Sequence, residues 1–398
     1  MPLDFTNIAA QVGDMVHTLK ESREEHRGRL VTALTTLNDP NLDLAEVQEK
    51  LRAAKTSWLV AELTESLNRT YPAPETPANY TVMATDGSHI DVDRHHAARC
   101  YLINIGAVTL TYGSAPDAVL SATPTLYAGE EQMVIRNPGA GRDQVMDAAL
   151  TGIKRSVAEW RALADLAKQR PAGSTGLAVL DGTLIQWGLE SRNYPEFARD
   201  VLLRKGFLAC LDEMRTLNGD RRLAVASYIS YPGGSDVVNA LRIILCPGDV
   251  INDRACLECD GKECEQVAGL RDRDVFAEVL QEGERSALFV STSSILKEYG
   301  PHEVRFYYVN VGEELARIEV PKWVSDDPAL LDLSHALVLD QCRRGQGYPV
   351  ALSEAHEHAV VTGADRENFW ALVESCLADE KLPSPISAKS FSKKMRWV

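Results

Sequence analysis

The stretch YTVMATDGS, residues 80–88, decides how the rest of the chain is read. Over 80–85 the residues alternate and favour a pleated strand, and the run then stops at Asp86-Gly87-Ser88, a common turn combination. The same signature returns at 177–183, LAVLDGT, where a short apolar run meets Asp181-Gly182-Thr183. Between them, 99–112 (RCYLINIGAVTLTY) is long, β-branched and aromatic, as a central strand should be, and 119–127 completes a meander. At 143–170 the period changes to that of a helix, with Val145, Leu150, Ile153, Val157, Leu163 and Leu166 available for burial. Strands first, then helix and strand in alternation, predict an α/β fold with a mixed sheet.

Further along, 195–218 reads as helix, 222–229 as strand and 236–245 as helix, while 304–310 and 315–320 form a hairpin. Helices over 330–344 and 365–378 follow. Upstream, 1–70 is expected to be a helical region, with Ile8, Val12, Met15, Val16 and Leu19 on one face of a first helix. A second helical stretch runs from Leu44 through Val47 and Leu51 to Trp58, and Asp43 with Glu46 resembles a capping box at its start. The three prolines of YPAPETPAN, 71–79, mark a linker. The domain proper then covers 80–378, with a cysteine-rich insertion at 246–269 and a basic tail at 379–398.

The chain has 398 residues, with 42 Lys plus Arg against 57 Asp plus Glu, a net charge of −15. Such an acidic protein is no general nucleic-acid coat, so any contact with DNA must be local or act through bound cations. No apolar run reaches the length of a membrane span, and MPLDFTNIAAQVGDM lacks the apolar core of a signal peptide, so a cytoplasmic location is expected. There is no G-x4-G-K-[ST] loop to argue for ATP hydrolysis.

Asp86 and Asp181 are both expected at strand ends, where open α/β sheets place ligands and where two carboxylates can share Mg²⁺ or Mn²⁺. Two-metal phosphodiester cleavage uses that arrangement. Near the C-terminus, GQGYPVALSEAHE, 345–357, brings Tyr348 and His356 to the start of an element, where a histidine can ligate metal or move a proton. In their order, the two Asp-Gly motifs, the helix between them, the Tyr-Pro and the Ala-His resemble the NurA nucleases over roughly 80–365. That resemblance implies an RNase H-like mixed sheet flanked by helices and Mn²⁺-dependent cleavage of DNA. It also implies a homodimer seated on a hexameric HerA-type ATPase. Carried over by motif, the site is Asp86, Glu159, Asp181, Tyr348 and His356, with Asp143 and Asp147 as other carboxylates on the helix of Glu159. A non-catalytic adaptor that binds DNA ends and a translocase is the alternative from another class.

The insertion carries Cys246, Cys256, Cys259 and Cys264, a C-x9-C-x2-C-x4-C array in a polar, acidic loop. Zn²⁺ and a [4Fe–4S] cluster both accept four thiolates, and the spacing leaves the choice open. Cys100, Cys210, Cys342 and Cys376 sit in apolar patterns and are expected in the core. His89, Asp91, Asp93, His95 and His96 form a polar stretch expected to be a solvated loop or strand edge, and Arg285 is expected in a surface salt bridge. The run KSFSKKMR, 389–396, is expected to touch DNA or a partner, or else to be a solubilising tail.

Overall fold

The computed structural model describes residues 3–92, 98–139, 141–190, 194–248 and 250–382. Asp93, His95, His96 and the basic tail from residue 383 onward therefore lie outside the described residues. The chain forms two compact units, one of 1–73, 230–293 and 305–318, the other of 74–229, 294–304 and 319–398.

The second unit is built on five strands. The first, Tyr80–Ile90, pairs antiparallel with Tyr101–Tyr112, which pairs antiparallel with Asp117–Tyr127. On its other side the first strand runs parallel to Thr175–Asp181, and that strand runs parallel to Arg222–Ile229. The spatial order third, second, first, fourth, fifth, with only the second strand reversed, is the RNase H-like arrangement. The first strand does not stop at residue 85. It stays paired through Asp86↔Gly106, Gly87↔Ile105 and Ser88↔Asn104, because the facing strand is long enough to hold it and the Asp-Gly local preference for turning is overridden.

Helices cover this sheet. Ala148–Lys168 begins where the Asp147 side chain accepts from the Leu150 amide, and it buries Leu150, Trp160, Leu163, Ala164 and Ala167. Trp160 meets Phe207 edge to face at 5.3 Å, and Phe207 lies on a helical stretch, 196–217, whose middle winds as a π-helix. Pro328–Arg344 is followed, after a turn, by Val350–Ala359, a helix that the sequence marked only as the start of an element. Gly363–Asp379 closes the described chain, and Cys376 on it is exposed, unlike the buried Cys100, Cys210 and Cys342.

In the first unit, Phe5–Leu37 and Leu44–Ala53 are helices capped by Asp4 and Asp43. The second ends five residues short of Trp58, whose ring instead carries the Arg242 guanidinium at 4.5 Å. Ala33, Leu37, Val47 and Leu51 share one core with Val237, Val238 and Leu241 of the helix Asp236–Leu245 and with Phe276, Phe289, Phe306 and Tyr308. The buried Asp272 takes hydrogen bonds from the amides of Val237 and Val238 and from the Tyr308 hydroxyl, a remote cap for that helix. Burial, then the charge of Asp236, pushes the Asp272 carboxyl up to about 6. Arg285 is not in a surface salt bridge: it is buried, with its guanidinium 3.9 Å from the Tyr71 ring centre. No helix among the described residues is long and apolar enough to cross a membrane.

Candidate active site

Side-chain alternation along the first strand sorts the site residues. Thr85 and Gly87 face the helix Ala148–Lys168: Thr85 Oγ1 donates to the Glu159 carbonyl at 3.0 Å. A Cβ on Gly87 would come 2.6 Å from Glu159 Oε1 and 3.0 Å from Arg155 Cγ. Asp86 and Ser88 face the helix Val350–Ala359. His356 Nδ1 lies 2.7 Å from Asp86 Oδ2, and Ser88 Oγ donates to the Ala359 carbonyl. Gly87 is therefore glycine because the Glu159 carboxyl occupies the place of its side chain.

The histidine helix is held at both ends. At its C-terminal end Asn104 Nδ2 donates to the carbonyls of Ala359 and His358 at 2.9 and 3.1 Å. Gly106, paired with Asp86, lets the helix backbone approach so closely that a Cβ would stand 2.2 Å from the Ala355 carbonyl oxygen. Upstream, Gln346 and Gly347 turn with φ of 57° and 111° and deliver Tyr348. Its ring packs edge to face on Tyr228 at 5.4 Å, and its hydroxyl hydrogen-bonds Asp181.

Asp181 ends the fourth strand. Gly182 follows with φ of +97°, its amide donating to the Tyr228 carbonyl at 2.9 Å. Beyond it, the buried Glu319 accepts from Thr183 Oγ1 at 2.7 Å and from the Leu184 amide at 2.8 Å, which fixes the turn. Asp181 is exposed as a residue, yet partial loss of hydration at its carboxyl raises its pKa, with the charge of Asp86 adding to the effect.

Glu159 is only 4% exposed. Its carboxyl is pushed up to about 8, first by burial, against which Arg155 works, and then by the charges of Asp86 and Asp181. Arg155 Nη1 stands 3.4 Å from Glu159 Oε1 and donates to the Gly87 carbonyl, and Oε1 accepts no hydrogen bond. A buried carboxyl with an unsatisfied oxygen, near two further carboxylates and an imidazole, suits a hard divalent cation. Among the described residues, however, no three His, Cys, Asp or Glu side chains stand at a common coordinating distance.

All five residues expected from the sequence thus belong to this one unit, and of the three candidate carboxyls Glu159 is the one on which the charges of Asp86 and Asp181 act. Asp147 is spent as the helix cap, and Asp143 accepts from the Asn137 amide at 2.8 Å. Sequence reasoning missed Arg155, Asn104, Glu319 and the roles of Gly87 and Gly106. The spacing Arg155 to Glu159, one helical turn, was the one available signal. His89 Nε2 lies 3.2 Å from Asp91 Oδ1.

A family model of the NurA domain matches residues 80–361. The NurA nuclease from Sulfolobus solfataricus has a similar structure, with a TM-score of 0.53 at 14% identity over 96% of this chain and 98% of that one. A structure of NurA with manganese aligns at a TM-score of 0.34 and 14% identity, over 89% of this chain and 98% of its own. No curated protein matches the sequence. With the family model covering most of the chain and the strand order agreeing, the chain belongs to the NurA family.

Proposed function

We propose that this chain is a Mn²⁺- or Mg²⁺-dependent deoxyribonuclease that works in DNA-end processing and repair. The observation that carries the reading is the buried Glu159 carboxyl, raised first by burial and then by the charges of Asp86 and Asp181, and left with an unsatisfied oxygen. Asp86, Glu159, Asp181 and His356 would hold the cation. When bound, it supplies Lewis-acid activation of water and neutralises charge on the leaving oxygen of a phosphodiester. The protein's own part is positioning. Asp86 fixes the His356 ring through Nδ1, which leaves Nε2 for ligation or proton transfer. Tyr348 hydrogen-bonds Asp181 and would orient the scissile phosphate or the water. Arg155 offsets part of the negative charge at Glu159.

The test is degradation of linear DNA with and without Mn²⁺ by the parent, Asp86→Ala and Asp181→Ala. Loss of activity in both variants and without the cation is expected. Metal-independent cleavage, or full activity in both variants, would overturn the reading. Because no three potential ligands stand at a common coordinating distance among the described residues, the adaptor remains the second reading. It predicts DNA-end binding with no cleavage in any of these reactions.

The chain is further proposed to act in the cytoplasm as a homodimer through its N-terminal helix, with a HerA-like hexameric ATPase supplying movement along DNA. Faster degradation on adding such a translocase with ATP is the expected outcome, and an unchanged rate would remove that partner.

A further inference from the structure

The four cysteines of 246–264 belong to the first unit and play no part in the site above. We propose that Cys246, Cys256, Cys259 and Cys264 form a four-thiolate metal centre that staples this segment to the end of the helix Asp236–Leu245, filled by Zn²⁺ or an iron–sulfur cluster.

Three elements carry three of the cysteines, and each of these elements packs on the same core. Cys246 is the residue that ends the helix, and its carbonyl accepts from Lys50 Nζ at 2.6 Å. Cys256 lies on the short helix Asp253–Leu257, tied down where the Ser57 amide donates to Asp253 Oδ1 at 3.0 Å. Cys264 lies on the turn Glu263–Val267, which packs Val267 into the core beside Val237 and Leu241. Cys246 and Cys256 both pack against that same core.

Both ends of the segment are thus anchored, but the turn at 257–261 between them is not. The helix Asp253–Leu257 buries no residue, and Leu257 is 86% exposed. A loop with no apolar core of its own is held in one conformation by cross-links, and four partly buried thiols without disulfides are the groups available. The four sulfurs do not stand at a common coordinating distance here, so closing the centre means that the exposed turn at 257–261 folds inward. Each thiol gives up its proton as it ligates.

The experiment uses the full chain, purified without added metal under anaerobic conditions, with zinc, iron and sulfide measured and the visible spectrum recorded. About one zinc per chain, or a cluster's iron and sulfide with visible absorption, is expected. Cys259→Ser should lose the metal and melt several degrees lower, a typical effect for losing a structural tie. Cys376→Ser, an exposed thiol outside the segment, should keep both properties. Should Cys259→Ser not fold, the chelated parent is titrated with Co²⁺, and the intense visible absorption of tetrahedral thiolate coordination is expected. No metal in the parent and no such absorption would overturn the proposal, as would full metal occupancy in Cys259→Ser. None of these readouts depends on nuclease activity.

Discussion

Glu159 makes one pH-dependent contribution to the stability of this protein. Its carboxyl is raised from 4.5 to about 8 in the fold, so between those values the folded chain holds a proton that the unfolded chain has released. Its contribution to stability is fully present below the lower value and is lost as pH rises through the upper one. In metal-free solution, Glu159→Gln should therefore flatten the fall in stability across this window. At about pH 9 it should exceed the parent by on the order of 1–3 kcal/mol in urea unfolding, since a pKa unit corresponds to about 1.4 kcal/mol and only part is realised. A parent as stable at high as at neutral pH would contradict this. If Glu159 holds the proposed cation, the same proton competes with it. Mn²⁺ affinity measured by calorimetry should climb up to about tenfold per pH unit until the carboxyl is ionised, and Glu159→Gln should remove that slope. Here the sequence was informative but incomplete: SVAEWRAL placed a glutamate on a helix, whereas Asp147 and Asp143 competed for its role until the fold showed them engaged as a cap and in a turn.

Among elements, the two glycines of the first and second strands decide whether both helices can reach the site. Gly87 admits a carboxyl from one face of the sheet, and Gly106 admits a helix backbone from the other. Gly106→Ala forces the helix Val350–Ala359 outward against backbone atoms, for which overpacking costs of about 1–3 kcal/mol are typical. Lower melting temperature together with reduced cleavage is expected. Gly87→Ala should impair cleavage more than stability, because the side chain that must yield is Glu159 itself; cleavage at the parent rate would refute the assignment. Neither role was legible locally. Gly87 sits in an Asp-Gly pair that reads as a turn, and only the long partner strand at Tyr101–Tyr112 keeps it in the sheet. The helix Val350–Ala359 was likewise readable only at its proline start, since its apolar side chains are few and its burial depends on close approach to glycine.

At the scale of the whole molecule, Val12, Met15, Val16 and Leu19 are between 42% and 58% exposed on a helix whose later residues, Ala33 and Leu37, are in the core. If the proposed dimer uses this stripe, changing all four to Ser should convert a dimer to a monomer in light scattering without moving the melting temperature by more than a few degrees. A monomeric parent, or a variant that remains dimeric, would refute it. Removing 1–70 altogether is a poorer test, because Ala33, Leu37, Val47 and Leu51 would leave a core they share with the Asp236–Leu245 helix. That sharing is where sequence reading ended. By itself the sequence determined the longer strands, most helices, the order of the motifs and hence the family resemblance, because periodicity, caps and turn residues act over a few neighbours. Only the tertiary structure decided that 230–293 joins the N-terminal helices in one unit, that Asp86 and Gly87 remain in a strand, and that Glu159 is the buried acid. Each of these depends on packing between segments far apart in the chain, which sequence periodicity does not encode.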